Sequence, residues 1–559
     1  MTARARALPL DFGAEIGRNR RNRAVRTFEP FRESGVLFLR EVRMLAASYG
    51  ARALIEPSNG ARILKGSDRV SSGSAGLDEI LGGGFVRRRL HVVEGRPGTG
   101  KTTLAMQFVM AGRDQSETVL YVSMSETRDE LQTVANSHGW SLEGIQICEL
   151  VPPDIAADRN RQTMFRSSEV ELGETIKLLF DEIERINPAR VVIDSLSEMR
   201  LLAESPLRYR REIFSLKHFL GHREATVLVV DDTTSGDPDL QLHSIVHGVV
   251  TLEELALDYG AERRRLRVAK MRGVKFRGGY HDFAIRTGGL EIFPRLVASD
   301  QTRTPPTEVL PSGSEQLDTL LGGGLRRGSS ALLIGPAGSG KSSIALSIAY
   351  NAAMSGKSAL LYAFDESAES IRERAAGLGM SIDPLIASGK IDLHEIDPAE
   401  MSPGEFTALV CRGVIERDAS VVVIDSLNGY LQAMPQERFL SLEIHQLLAY
   451  LNRQRVLTIL IMAQHGLVGA VESPIDLSYL SDAVLLLRFF EAQGTVRKAI
   501  SVVKKRVGTH EDTIREFRLS AQGLQVGEPL SDFQGVMSGI PAYVGSQSMI
   551  KSADDTTLG

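Results

Sequence analysis

The chain has 559 residues, 43% of them hydrophobic and 24% charged, and a net charge of −5. No apolar run approaches the roughly 18 residues of a membrane span, and the bulk charge gives no argument for nucleic-acid binding. Two cysteines, Cys148 and Cys411, cannot make a disulfide framework or a cysteine-rich metal site.

The first 45 residues carry ten arginines against five acids, densest from Arg18 to Arg26. Residues 1–68 read as a basic, partly disordered arm; a nucleic acid, a membrane or an acidic partner is the alternative. The start, MTARARALPLDF, has no signal-peptide core, which points to a cytoplasmic address. From Val70 a long repeat begins. SSGSAGLDEILGGGFVRR (71–88) returns as PSGSEQLDTLLGGGLRRG (311–328), and Lys101 and Lys341 stand 240 positions apart. A period far longer than any solenoid unit means a duplicated domain. The expected division is a first domain over 69–297, a polar Pro-containing linker over 298–310, a second domain over 311–527 and a tail over 528–559 whose last dozen residues are mobile.

Each copy opens with an apolar run, Leu90–Val93 or Leu332–Ile334, then a glycine-rich loop, then a helical pattern. Further apolar runs follow: TVLYVSM, ARVVIDS and ATVLVVDD in the first copy, SALLYAFD, SVVVIDS and VLTILIMAQ in the second. Such runs separated by helical segments predict an α/β fold with largely parallel sheets covered on both faces. Ligands on such sheets sit at the carboxyl ends of the strands.

The loops, GRPGTGKT (Gly95–Thr102) and GPAGSGKS (Gly335–Ser342), have the form G-x-x-x-x-G-K-[ST]. The predicted phosphate cradles are Gly98, Thr99, Gly100, Lys101, Thr102 and Thr103, then Ala337, Gly338, Ser339, Gly340, Lys341, Ser342 and Ser343. The ligands expected are ATP and Mg2+, with Lys101 or Lys341 on the outer phosphates and the Thr102 or Ser342 hydroxyl on the metal. Asp194 and Asp425 close apolar strands, where a carboxylate can hold magnesium. Near the end of another strand stand Ser125 and Glu126 in the first copy, Asp365 and Glu366 in the second. Glu126, Asp365 and Glu366 are the candidate catalytic acids, able to align or deprotonate the attacking group. With one acid instead of two, the first copy is expected to hydrolyse more slowly or only to bind nucleotide. Each copy ends in a basic strand: AKMRG, with Lys270 and Arg272, and VKKRV, with Lys504, Lys505 and Arg506. These are either charged edge strands or groups that reach the nucleotide of a neighbouring subunit.

With the paired loops, the LGGG elements, FDES and the basic strands, the chain resembles the KaiC family, double-domain ATPases and autokinases of the circadian clock. The segment VRKAISVVKKRVGTHEDTIREF (496–517) is a specific match, and the resemblance spans residues 69–525. It implies tandem RecA-like P-loop domains, a two-tiered homo-hexamer with nucleotide at subunit interfaces, and a KaiB-like or other signalling partner. It also implies nucleotide contacts at Ser137, Lys498, Lys504, Lys505 and Arg506, cross-subunit contacts at Lys270, Met271 and Arg272, and metal and phosphotransfer work for Asp365. The family's phosphoacceptor pair falls on Ser478 and Tyr479, and a third hydroxyl on Ser473. Tyrosine in place of threonine argues against a two-site phosphorylation cycle. The competing functions are a DNA-dependent recombinase or helicase-type motor on the same fold, for which no zinc ribbon or aromatic platform is present in the sequence, and a nucleotide-stabilised scaffold with little turnover.

Overall fold

The structure is a computed structural model. It describes residues 68–150, 168–203, 205–233, 240–257, 259–297, 308–432, 440–464, 479–536 and 542–545. The basic arm, most of the linker, Ser473, Ser478 and the last dozen residues lie outside the described residues.

Nine strands build the first sheet: β1 Leu90–Gly95, β2 Val119–Ser123, β3 Gln146–Glu149, β4 Arg190–Asp194, β5 Thr226–Asp232, β6 Gly248–Leu255, β7 Arg263–Met271, β8 Tyr280–Arg286 and β9 Gly289–Phe293. Their order across the sheet is β3-β2-β4-β5-β1-β6-β7-β8-β9. The second sheet has β10 Ser330–Pro336, β11 Ser358–Ala363, β12 Ile391–Glu395, β13 Ala419–Asp425, β14 Leu457–Gln464, β15 Ala483–Ala492, β16 Thr495–Lys505, β17 Ile514–Ser520 and β18 Gly523–Pro529. It runs β12-β11-β13-β14-β10-β15-β16-β17-β18, the same order strand for strand. Six strands of each sheet are parallel and the last three are added antiparallel. The expected RecA-like α/β pair is therefore observed, with an antiparallel extension that the apolar runs did not announce.

The parallel strands are buried on both faces because helices cover both. Val92, Val93, Leu332 and Leu333 are fully buried, and each such side chain contributes about 1.5–3 kcal/mol over exposure. One face of the first sheet packs around Leu104 and Phe108 of α1 (Lys101–Asp114), the other around Ile213 and Leu216 of α3 (Pro206–Gly221); α2 is Arg128–Ser137. In the second sheet α4 (Lys341–Met354) and α6 (Leu440–Arg453) take those places, and α5 is Ala368–Gly377.

The two sheets' units also touch. Asp282 on β8 accepts a hydrogen bond from the Gly404 N–H at 2.8 Å, Arg286 pairs with Glu405, and Arg412 with Glu291 at 3.0 Å. Past β18, Val536 is buried against Phe490 and Ala499, so the chain beyond Gly527 still packs on its sheet. Among the described residues no helix is long and apolar enough to cross a membrane.

Candidate functional site

Each glycine-rich loop joins the carboxyl end of a central strand to the first turn of a helix: β1 to α1, and β10 to α4. Gly98 and Gly100 have φ of 86° and 92°, and Gly338 and Gly340 have 74° and 104°. Only glycine takes that conformation at little cost. It turns the loop so that the free N–H groups of the helix start face a common point, where an anion is favoured.

In the first unit the Lys101 ammonium, 6% exposed, donates to the Arg96 carbonyl at 2.8 Å and pairs with Asp232 at 2.7 Å. The Thr102 hydroxyl donates to Asp194 at 2.8 Å, and Tyr121 donates to the same carboxylate oxygen at 2.6 Å. Burial pushes the Asp194 carboxyl up, and these two hydrogen bonds oppose the shift. Glu126 is also pushed up, by burial first and then by Asp194 and Glu130, and its Oε2 is buried without a partner. A capping box fixes its place: Thr127 caps α2, with Glu130 bonding back to the Thr127 N–H at 2.7 Å. The acid therefore sits one residue before the cap.

The second unit repeats the frame with other details. Lys341, also 6% exposed, donates to the Gly335 and Pro336 carbonyls at 2.9 and 2.7 Å. Burial lowers its pKa to about 8. Ser342 hydrogen-bonds Asp425, whose carboxyl burial pushes up. Asp365 accepts from the Ser426 hydroxyl at 2.5 Å, and Glu366 is paired with Arg374. Ser125, in the place of Asp365, is exposed.

The hydroxyl–carboxylate pair suits magnesium: its octahedral ligands lie about 2.9 Å apart for bonds of about 2.0–2.1 Å, close to the 2.8 Å between Thr102 and Asp194. Among the described residues no group of three or more His, Cys, Asp or Glu could hold a metal. A site of this type uses one hydroxyl, one carboxylate and the substrate's phosphates.

The basic strands are not edges. β7 lies between β6 and β8, and β16 between β15 and β17. Because β7 runs antiparallel, Met271 is level with Gly248 and His91, at the amino end of the parallel strands. Lys270 there donates to the His243 and Val246 carbonyls, and Arg272 to Ser244. One copy of the chain thus holds Lys270–Arg272 away from its own Lys101. The second unit splits likewise: Lys498, over the Phe489 ring, is at the loop end of the sheet, and Lys504–Arg506 are at the other. Lys505 donates to the Leu321 and Gly324 carbonyls of its own LGGG turn, and Arg506 pairs with Asp482 at 3.3 Å. Ser137 closes α2 with its hydroxyl on the Val134 carbonyl, and Tyr479 is exposed.

A family model described as "ATPase: KaiC" matches residues 70–297 and 310–531. The chain belongs to the KaiC family. The circadian clock oscillator protein KaiC of a Picosynechococcus species is 27% identical to it, covering 87% of this chain and 94% of the relative. The circadian clock protein KaiC3 of a Synechocystis species is 25% identical over 86% and 95%. KaiC of Synechococcus elongatus is 25% identical over 84% and 91%. The chain is thus a tandem P-loop ATPase of the KaiC type.

Sequence reading passed over Asp232. It ends β5, beside Gly95 of β1, and its equivalent in β14 is Ala463. The signal was visible as the acid pair in VLVVDD, but only the sheet order places that strand next to the loop strand.

Proposed function

We propose that both units hydrolyse ATP with Mg2+ and that the second also transfers phosphate to a hydroxyl of its own chain. The observation that carries this reading is the constellation of buried lysine, hydroxyl and strand-end aspartate built twice on one sheet order. Thr102 with Asp194, and Ser342 with Asp425, hold the metal, which when bound offsets charge on the phosphates. Lys101 and Lys341 stabilise the phosphoryl group in transfer. Water forms its bond to the γ-phosphorus as the bond to the bridging oxygen of ADP breaks, and its proton passes to Glu126 or Glu366. A carboxylate shifted upward by burial, like Glu126, is a stronger base for that proton. Asp365 aligns the nucleophile in the second unit. In the first, Asp232 gives up Lys101 to the phosphates and takes the aligning place that Ser125 leaves empty.

With Ser478 replacing water the same groups make a serine autokinase, and Ser473 and Tyr479 are the other acceptors to test. Lys270, Met271, Arg272, Lys504, Lys505 and Arg506 serve the nucleotide of an adjacent copy in a hexamer, while Ser137 and Lys498 serve their own. The separation of the two sets along each sheet supports that division of work. Domains over 69–297 and 311–527, a cytoplasmic setting and a KaiB-type or other signalling partner complete the proposal. Phosphate release from wild type, Lys101→Ala and Lys341→Ala, with intact-mass spectrometry after ATP and magnesium, tests it. Loss of turnover in each variant and a phosphate that vanishes with Lys341→Ala are expected. Undiminished turnover in the double variant overturns it.

A further inference from the structure

At the amino end of the first sheet, opposite its phosphate loop, lies a cavity of about 350 Å³ whose lining contains no acid. Arg89 before β1, Lys217 on α3, His247 before β6 and Arg272 after β7 face it. The same place in the second unit is made differently. Strand register puts Ser329 at the position of Arg89 and Asp482 at that of His247, and Arg506 matches Arg272. Lys217 stands ten residues before Val227 of β5, as Leu448 stands before Thr458 of β14, and Leu448 is a buried core residue. The second unit thus neutralises its arginine with Asp482 and fills the space with leucine. The first surrounds the equivalent arginine with two more cations and a histidine.

We propose that this cavity is a binding site for a phosphate chain, distinct from the protein's own phosphate loops. Its donors are available. Arg89 is exposed and makes no hydrogen bond among the described residues; Lys217 gives one of three N–H bonds to Ile245, and Arg272 one of five to Ser244. The His247 Nε2 is buried without a partner. Burial and the neighbouring cations lower Lys217 and Lys270 and bring His247 to about 4, so a neutral imidazole stands in a field that favours an anion. The volume is within the roughly 300–1,000 Å³ of small-molecule sites. The phosphates belong either to the nucleotide held by an adjacent copy or to a free polyphosphate or nucleotide. The site's existence does not depend on which.

The test transplants the second unit's residues: Arg89→Ser, Lys217→Leu and His247→Asp, in the full chain carrying Lys101→Ala and Lys341→Ala so that the loops contribute little. Calorimetric titration with inorganic tripolyphosphate should show one site whose affinity falls at least about tenfold in the triple variant, since each charge-assisted contact is worth that much. Binding should also weaken with salt. Equal affinity and stoichiometry in the two proteins overturns the proposal. Should the triple variant fail to fold, Arg89→Ser alone carries the test; affinity unchanged by that loss is equally decisive against it. Repeating the titration on wild-type chain assembled with ATP separates the sources: a site that closes to the probe is occupied by a neighbour's nucleotide, and one that stays open takes a free anion.

Discussion

Arg190 and Val421 occupy the same place in the two sheets, each directly beside the strand that follows the phosphate-loop helix. Val421 is simply buried. Arg190 is fully buried too, and it holds Glu117 at 2.5 Å, the Ser71 and Phe108 carbonyls and Gln115. The same contrast recurs at the loop end. Glu94, 2% exposed, pairs with His243 and accepts from Thr251, where the second unit has Ile334 and Leu486. Asp231 is held by Arg200 where the second unit has Met462, and Asp232 by Lys101 where it has Ala463. One architecture therefore tolerates two kinds of interior. The first unit's is wired by charge pairs whose members depend on each other; the second's is hydrocarbon, which leaves its active lysine with carbonyl partners alone.

The comparison can be broken most forcefully at Arg190. Arg190→Val gives the first unit the second unit's residue but strands Glu117, and should cost about 3–5 kcal/mol in denaturant unfolding; Glu117→Gln added to it should recover part of the loss. No loss in the single variant would mean the charge wiring is ornamental. Next come the loop lysines: Lys101→Ala and Lys341→Ala should each reduce their own unit's phosphate release on the order of 10²–10³-fold, as removal of a transition-state charge partner does. Asp232→Ala should lower first-unit turnover by roughly ten- to a hundredfold while tightening nucleotide binding, because Lys101 no longer has a competing partner. Faster turnover would make Asp232 only a restraint.

The lysines also predict a difference in pH response. Phosphate binding needs charged Lys341, whose pKa in the empty site is about 8. Nucleotide affinity of the second unit, measured with Lys101→Ala, should be flat below pH 8 and fall above it by up to about tenfold per unit. The empty protein responds with the opposite sign: the cost of a buried ammonium is full below pH 8 and disappears between there and the 10.5 of an unfolded lysine. Ala463→Asp, which copies Asp232, should move that break upward. The smallest effect is expected at Arg374→Val. Position 374 matches Val134 of the first unit, and freeing Glu366 from its ion pair should change turnover only several-fold, as partly exposed pairs are weak.

The phosphate loops, Asp194 and Asp425, the acid positions and the duplication could all be read from residue order, because each belongs to a contiguous motif whose chemistry is local. The parallel strands could too, since burial on both faces leaves unbroken runs such as VLVV and VVVI. The antiparallel strands β7–β9 and β16–β18 were harder to see. They mix charge with apolar residues, as in RRRLRVAK, and the pattern does not say whether such a strand lies inside a sheet or at its rim. Arg190 looked like an ordinary strand-flanking arginine until the fold brought Glu117 to it.

Sequence alone determined that two phosphate-binding engines stand in tandem, because loop, lysine, hydroxyl and carboxylate are spelled out in order and each needs only its own neighbours. Tertiary structure decided what surrounds them: that Asp232 meets Lys101, that Lys270 and Arg272 stand at the far end of the sheet from their own loop, and that Arg89, Lys217 and His247 converge on one cavity. Those pairings join residues far apart in the chain, and only the strand order, which sets which ends become neighbours, brings them within reach.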